Sequence, residues 1–129
     1  MYLVDTSVLV DFFKDKKNEK IMRFEWILSN SIPFGISAFT YQELLQGAKD
    51  EKEFKSLEEY LSTQKIYYPS NESFKNSAEI FFLCRRKGIT IRSSIDVLIV
   101  ATAIENNLIL LHNDRDFKNI AKIVGFNQE

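Results

Sequence analysis

The sequence predicts an α/β fold with three layers, in which helices cover both faces of a mainly parallel central sheet of four to five strands. Two observations carry this prediction. Short apolar stretches alternate along the chain with longer segments of helical periodicity, as they do in parallel-sheet proteins. One of these stretches, residues 108–111, is apolar throughout, which is typical of a strand buried on both faces. The length of 129 residues matches one domain, so we expect residues 1–129 to form a single unit.

The predicted strands are short and rich in branched and aromatic side chains. The first covers residues 2–4 and ends at an acid, Asp5. Others are predicted at residues 33–36, 66–68 and 108–111, and residues 123–126 are a candidate edge strand.

Helical periodicity fills the segments between these strands. Helices are predicted at residues 8–13, 18–30, 37–46, 51–63, 71–88, 93–103 and 114–117, with Ser37 and Gly47 suited to begin and end the third. Apolar stripes predict which side chains face inward; they include Leu28, Phe54, Phe74, Phe81 and Phe82.

Composition restricts the class of protein. The net charge is −1, so a nucleic-acid partner would have to be held by local basic patches. A single cysteine, Cys84, excludes an internal disulfide and is expected to fill the core. No long apolar run or signal-like N-terminus is present, which predicts a cytoplasmic protein without a membrane segment. Eleven Phe and five Tyr indicate either a protein interface or a large aromatic core.

Four of the 18 acidic residues stand in apolar surroundings near the ends of predicted elements: Asp5, Glu43, Asp96 and Asp114. Two of them have a local explanation, because Thr40 with Glu43 and Ser93 with Asp96 fit the capping-box pattern. Asp5 on its own also fits a helix cap. Capping and chemistry both remain open for each acid taken alone, although a helix beginning at Ser37 would leave the Glu43 carboxylate free.

The combination of the four acids favours a catalytic or metal-binding role over helix capping. In a parallel sheet, residues that follow the strands meet at one edge, so the acids can converge. Two unit charges about 4 Å apart repel by about 4 kcal/mol at an effective dielectric near 20, so cations or protons must accompany such a cluster. Oxygen ligands without a Cys/His cluster favour Mg²⁺, with Mn²⁺ as a substitute, over zinc. Such a site can activate water against a phosphodiester. We expect Asp5 to be its central carboxylate and Thr6 or Ser7 to begin the helix.

The same residues resemble a known family. Asp-Thr-Ser at residues 5–7, Ser37 followed by Glu43 and Leu44, Ser94 to Asp96 leading into residues 99–103, and Asn-Asp-Arg-Asp-Phe at residues 113–117 look like the motifs of PIN-domain ribonucleases, particularly VapC-type toxins. The resemblance covers nearly the whole chain in order. No single motif is specific, but the set of four acids is.

Roles for individual residues follow from this resemblance. It implies that Asp5, Glu43, Asp96 and Asp114 hold the metal, with Asp116 as an auxiliary acid and Thr6, Ser7 and Asn113 in support. It further implies Mg²⁺-dependent endonucleolytic cleavage of RNA, a homodimer, and inhibition by a cognate antitoxin that covers the active site. One position departs from the pattern: His112 stands where such sequences often have Thr, and we expect it to pack at the strand end.

Candidate RNA contacts are basic residues. Arg92 and Arg115 flank presumed metal ligands and are the better candidates for phosphate binding. The basic clusters at residues 14–20 and 85–87 are also candidate phosphate contacts, although solvated surface explains them more readily.

Two further functions remain open. A catalytically silent binding module could keep the fold and act by association with RNA or protein, although a lapsed site should have lost some of its acids. A receiver-like domain could use Asp5 as a phosphate acceptor, but the paired acids after the first strand and the late Lys that such a domain would show are not clear here.

Overall fold

A four-stranded sheet lies at the centre of the protein, in a computed structural model that describes residues 1–129. Its strands are β1 (Tyr2–Val4), β2 (Phe34–Ser37), β3 (Lys65–Tyr67) and β4 (Ile109–Leu111). They lie in the order β3-β2-β1-β4, and each neighbouring pair is parallel. The predicted parallel sheet is therefore confirmed, with four strands.

Seven helices cover the two faces of this sheet. They are α1 (Thr6–Phe13), α2 (Glu19–Ser29), α3 (Ala38–Gln46), α4 (Glu51–Leu61), α5 (Asn71–Arg86), α6 (Ser94–Glu105) and α7 (Arg115–Ile120). Side chains of a strand alternate between faces, so Tyr2 and Val4 enter one buried cluster with residues of α1 to α4. Leu3 enters a second cluster with residues of α5 to α7, including the buried Cys84. The three predicted layers are confirmed.

The carboxyl ends of the strands form the edge that positions the candidate site. Two of the helices, α1 and α3, begin immediately beyond the ends of β1 and β2. The backbone N–H of Asp5 donates to the carbonyl oxygen of Leu111 at 2.9 Å, which joins the ends of β1 and β4. Residues that follow these strands therefore share one edge of the sheet, as expected for a parallel α/β fold.

The buried face of α5 differs from the predicted one. Phe74 and Phe82 are 54% and 56% exposed, and the helix instead buries Ser73, Ser77, Ile80 and Cys84. Ser73 donates from its hydroxyl to Glu105 at the end of α6 at 2.8 Å, so the polar side chain is satisfied where it packs. A stripe chosen by hydrophobicity alone was wrong here because small serines provide the contact between α5 and α6. Leu28 and Phe54, each 40% exposed, are also less buried than predicted.

The predicted edge strand at residues 123–126 is not formed. The backbone after α7 continues in turns, with Ala121 N–H donating to Phe117 O and Val124 N–H to Ile120 O. The chain meets β4 only at its last residues, through a single bridge between Leu110 and Gln128. Ile123 and Val124 instead pack as partly buried side chains against the second cluster, which explains why their hydrophobic pattern suggested a strand.

None of the helices is long and apolar enough to cross a bilayer.

Candidate metal centre

Asp5 lies at the end of β1 and is 5% exposed. Its Oδ2 accepts hydrogen bonds from the backbone N–H of Ser7 at 3.0 Å and from the Ser7 hydroxyl at 2.6 Å. Asp5 is thus the N-cap of α1, whose first residue is Thr6, so the capping bond expected from Thr6 or Ser7 is made by Asp5 instead. Burial raises the pKa of Asp5, and the bonds from Ser7 oppose that rise because they favour the ionised form.

Ser7 connects two of the loops at this edge. Its hydroxyl donates to Asp5 and also accepts a hydrogen bond from the backbone N–H of Asn113 at 2.9 Å. One hydroxyl therefore fixes the segment after β1 against the segment after β4. This places Ser7 and Asn113 in a supporting position beside the acids.

Glu43 lies inside α3, which begins after Ser37 as the sequence indicated. The Thr6 hydroxyl lies 3.3 Å from Glu43 Oε1 and 3.0 Å from the hydroxyl of Thr40. Glu43 therefore does not cap its own helix, and its carboxylate is directed to the start of α1. Desolvation and then the charge of Asp5 raise the pKa of Glu43.

Asp96 is an acid whose pKa is raised by several neighbouring carboxylates at once. It lies in the first turn of α6, whose N-cap is Ser93. Ser93 accepts from Ile95 N–H at 3.2 Å, and no return bond from Asp96 closes a capping box. Desolvation first, then the charges of Asp5, Asp114, Asp116 and Glu43, raise the pKa of Asp96 to about 7.

Asp114 and Asp116 follow β4, at the start of α7, and Arg92 lies close to both carboxylates. Asp114 is the N-cap of α7 and accepts the backbone N–H of Asp116 at 3.0 Å. The Arg92 guanidinium donates to Asp116 Oδ2 at 2.9 Å and lies 3.7 Å from Asp114 Oδ1. Arg92 thus neutralises part of the acidic charge, and a phosphate contact would compete with these ion pairs. Asp116, predicted as auxiliary, is the more buried of the two acids.

The tightest group of ligand atoms comes from Asp96, Asp114 and Asp116. One carboxylate oxygen from each lies within 4.8 Å of the others, and we call these residues the three-acid cluster. Opposite ligands of an octahedral Mg²⁺ are about 4.2 Å apart, since metal–oxygen distances are near 2.1 Å. The spacing and the all-oxygen donor set therefore fit a hard divalent cation. The charge balance fits as well, because Arg92 supplies one positive charge against three carboxylates.

The three-acid cluster differs in membership from the four acids singled out in the sequence. It contains Asp96 and Asp114 but includes Asp116, while Asp5 and Glu43 lie outside it. Both outer acids still act on Asp96, since their charges contribute to its raised pKa. The metal-ligand roles of all five acids stay predictions.

His112 packs at the end of β4, where the sequence suggested it would. It is 1% exposed, and its ring lies 4.8 Å from that of Phe117. Nδ1 accepts the backbone N–H of Asp114 at 3.2 Å, which assigns the proton to Nε2, 2.7 Å from Gln128 Oε1. Burial lowers the pKa of His112. The residue therefore connects the C-terminal segment to the Asp114 loop as a neutral side chain.

Sequence patterns missed several side chains at this edge. Thr40 is fully buried and pairs with Thr6, and Gln128 fixes the ring of His112. Lys118 lies with Lys20, Arg92 and Arg115 around a polar cavity, and of these four cations it is the one that the sequence did not offer as an RNA contact. Nothing in the spacing of these residues connects them, because they come from elements distant in the chain.

Comparison with known proteins identifies the family. The family profile described as "PIN domain" matches residues 2–123, nearly the full chain. The chain belongs to the PIN domain family. The parallel four-stranded sheet with helices on both faces agrees with the assignment of this PIN domain.

Relatives of this PIN domain include a curated ribonuclease and solved complexes. The VapC ribonuclease Mb1587 of Mycobacterium bovis is 30% identical over 127 residues, covering 97% of this chain and 95% of that protein. DNA-bound VapBC from Salmonella typhimurium aligns with a TM-score of 0.78 and 25% identity, over 99% of this chain and 96% of that one. A toxin-antitoxin complex from Klebsiella pneumoniae aligns with a TM-score of 0.71 and 26% identity, over 98% and 95% of the two chains.

Proposed function

We propose that this PIN domain is a divalent-metal-dependent endoribonuclease and the toxin of a toxin–antitoxin pair. The observation that carries the proposal is the three-acid cluster, in which oxygens of Asp96, Asp114 and Asp116 lie within 4.8 Å of one another. The curated relative at 30% identity is a ribonuclease by name, which supports RNA as the substrate. Mg²⁺ is the proposed cation, and Mn²⁺ can replace it because both take oxygen ligands.

The residues at the sheet edge have different proposed roles. Asp96, Asp114 and Asp116 would hold the cation, with Asp5 and Glu43 as the adjacent carboxylates. A cation held there would supply acidification of a water and neutralisation of charge on the leaving oxygen of a phosphodiester. Ser7 holds the Asp5 carboxylate in one orientation through two hydrogen bonds, and the Thr6 hydroxyl lies 3.3 Å from Glu43 Oε1, where it can donate to that carboxylate. The side chains are thereby oriented before substrate arrives.

Cleavage of RNA by wild type and by Asp5→Asn and Asp96→Asn variants tests the nuclease. We expect Mg²⁺ or Mn²⁺ to support cleavage by the wild type, EDTA to abolish it, and each variant to lose roughly a hundredfold or more. Asp15→Asn is the matched control, because Asp15 is exposed and its positive φ of 54° is tolerated by Asn. Cleavage that is indifferent to EDTA, or equal in all four proteins, would overturn the metal-dependent mechanism. Absence of cleavage by the wild type would leave a catalytically silent module.

The toxin role has its own test. The Salmonella typhimurium and Klebsiella pneumoniae structures are VapBC and toxin-antitoxin complexes, which supports a cognate antitoxin as the partner. Expression of the wild type should arrest growth, and co-expression of the adjacent upstream gene product should relieve the arrest. Asp96→Asn should be tolerated without that product. Normal growth with active wild-type nuclease would point to a housekeeping ribonuclease.

The proposal includes a homodimer, for which the outer face of α5 is the candidate surface. Phe74 and Phe82, two large aromatic side chains on neighbouring parts of the helix surface, are 54% and 56% exposed. A cavity of about 460 Å³ lies between this face and α6, lined by residues that include Phe81 and Leu98. A second copy of the chain would cover both. The proposal thus accounts for the aromatic excess in the composition.

Light scattering after size exclusion tests the dimer. Phe74→Ser combined with Phe82→Ser should shift the wild-type dimer to monomer, because the substitutions remove apolar area from the interface. Phe54→Ser, at another partly exposed aromatic on α4, should leave the dimer intact. A dimer that survives the double substitution, or a wild type that is monomeric at micromolar concentration, contradicts this part of the proposal.

A further inference from the structure

A polar cavity of about 390 Å³ opens beside the three-acid cluster and has no hydrophobic residue in its lining. Its walls carry the side chains of Lys20, Arg92, Arg115 and Lys118, which makes four cations around one small space. Asp114, a member of the three-acid cluster, also lines it. We call this space the basic cavity. A ligand held in it would lie next to the candidate metal centre.

Most of the positive charge in the basic cavity has no partner. Arg92 is paired with Asp114 and Asp116, but no carboxylate oxygen lies within 4.0 Å of Lys20, Arg115 or Lys118. The charges of two acids, Glu129 and Glu19, act on Lys20, and Glu129 is already bound to Arg23 at 2.6 Å. Burial first, and then the charge of Lys118, lower the pKa of Lys20. The protein therefore compensates the charge of Arg92 with ion pairs, while Lys20, Arg115 and Lys118 have no salt-bridge partner.

Local structure does not explain why these cations converge. Lys20 lies in the first turn of α2, where a positive charge is unfavourable because the helix N-terminus is itself positive. Arg115 and Lys118 come from α7, and Arg92 precedes α6. Three separate segments bring the charges together, so the convergence is a property of the fold. An anion in the cavity would relieve the repulsion.

We propose that the basic cavity binds a backbone phosphate of the RNA strand, next to the phosphodiester cleaved at the three-acid cluster, with Lys20 and Lys118 as its principal contacts. The inference rests on the proposed ribonuclease function and extends it by naming a substrate subsite. Phosphate is favoured over an acidic protein segment, because protein interfaces place apolar side chains at their centre and this lining has none. RNA passing along the edge would meet cations in the cavity and acids, with their metal, at the cluster.

Binding of a fluorescein-labelled single-stranded RNA of mixed sequence, followed by anisotropy in EDTA to prevent cleavage, tests this subsite. Lys20→Gln combined with Lys118→Gln should weaken binding by about tenfold or more at low salt. The slope of log affinity against log salt should flatten by roughly 0.7 for each phosphate that the protein no longer neutralises. Lys118→Gln alone, at an exposed side chain that puts folding at no risk, should give about half of the slope change.

Lys52→Gln combined with Lys55→Gln is the matched control, because it removes the same charge from exposed positions on α4. It should keep the wild-type affinity and slope to within a factor of two or so, since distant surface charges are screened. Equal losses in both double variants, or no loss in Lys20→Gln/Lys118→Gln, overturn the subsite. The subsite is also overturned if the Lys20→Gln/Lys118→Gln variant binds RNA normally but no longer binds the antitoxin. That result would make the cavity a protein-binding site.

Failure of the subsite and failure of the proposed nuclease give different results. Wild-type protein that cleaves RNA with Mg²⁺ while the Lys20→Gln/Lys118→Gln variant keeps normal affinity, salt slope and cleavage overturns the subsite alone. Wild-type protein that binds RNA through these lysines without metal-dependent cleavage overturns the nuclease but retains the subsite.

Discussion

Asp5 and Asp114 each cap a helix at the end of a strand, and each also faces the acidic edge. Asp5 uses Oδ2 for the Ser7 amide, and Asp114 uses Oδ1 for the Asp116 amide. A carboxylate has two oxygens, so one can complete a helix start while the other remains available to a cation. Capping and metal binding, which look like alternatives in the sequence, are therefore compatible at the residue scale.

The raised pKa of Asp96 makes a prediction about metal affinity and pH. Its pKa is about 7, so at pH 6 the carboxyl is mostly protonated in the metal-free protein, and a cation must displace that proton to bind. Affinity for Mn²⁺ should therefore fall as pH falls, by about tenfold between pH 8 and pH 6. Titration calorimetry at the two pH values measures this change, together with the protons released. Equal affinities at both would contradict the assigned protonation of Asp96.

His112 is expected to affect stability more than catalysis. In a His112→Thr variant the packing on Phe117 and the hydrogen bonds to Gln128 and from the Asp114 backbone N–H disappear, while the carboxylates of Asp114 and Asp116 keep their partners. We expect a decrease of about 1–3 kcal/mol in the free energy of unfolding, typical of a buried side chain made smaller. Denaturant titration measures it. Cleavage at saturating Mg²⁺ should stay within about tenfold of wild type, and a larger decrease would make His112 part of the chemistry.

At the scale of elements, the pairing of β2 with β3 depends on a residue without a side chain. Gly35 in β2 is paired with Lys65 in β3, and Tyr67 lies across its position. A Cβ added at Gly35 would lie 2.8 Å from the carbonyl oxygen of Lys65 and 2.6 Å from Tyr67 Cε2. Because one of those atoms belongs to the backbone, the strand itself would have to move.

Gly35→Ala should therefore destabilise the protein by about 1–3 kcal/mol, the usual range for overpacking. Gly125→Ala is the matched control, since its added Cβ would meet nothing within 4 Å and its backbone is not in the left-handed region. Thermal unfolding of the two variants makes the comparison. Similar melting temperatures would mean that β3 accommodates the extra methyl group without strain.

At the scale of the whole molecule, the three-acid cluster couples the candidate metal centre to stability. Its carboxylates come from segments before α7 and at the start of α6 and α7, and they repel one another in the metal-free protein. A cation that binds the folded state alone stabilises it by about 2.7 kcal/mol at a concentration 100 times its Kd. Metal should thus hold two helices of one layer together.

Removal of metal should accordingly lower the melting temperature. We expect Mg²⁺ or Mn²⁺ at saturating concentration to raise it by about 10 °C relative to EDTA at neutral pH, for a domain of this size. In Asp114→Asn the difference should nearly vanish, and the cap of α7 should survive because Asn caps as well as Asp. Differential scanning fluorimetry gives both values. A melting temperature indifferent to divalent ions in the wild type would exclude a bound cation at the cluster.

The sequence alone determined the fold class and the ends of most elements. The alternation of short apolar strands with periodic helices encodes a parallel sheet, because helical and extended chains repeat with different periods. Ser37 caps α3, as predicted, since side-chain oxygens satisfy the free amides of a helix start through hydrogen bonds within a few residues. Such local signals do not depend on the rest of the molecule.

Only the tertiary structure decided which acids lie close together and which apolar side chains stay exposed. Asp116 joined Asp96 and Asp114, while Asp5 and Glu43 stayed outside the tightest group. Lys20 and Lys118 met across one cavity. These distances depend on strand order and on how helices pack, which short-range patterns do not encode. The same reason explains the exposed Phe74 and Phe82: hydrophobicity marks a side chain as one to be covered, but only the packing of the chain shows whether its own core covers it.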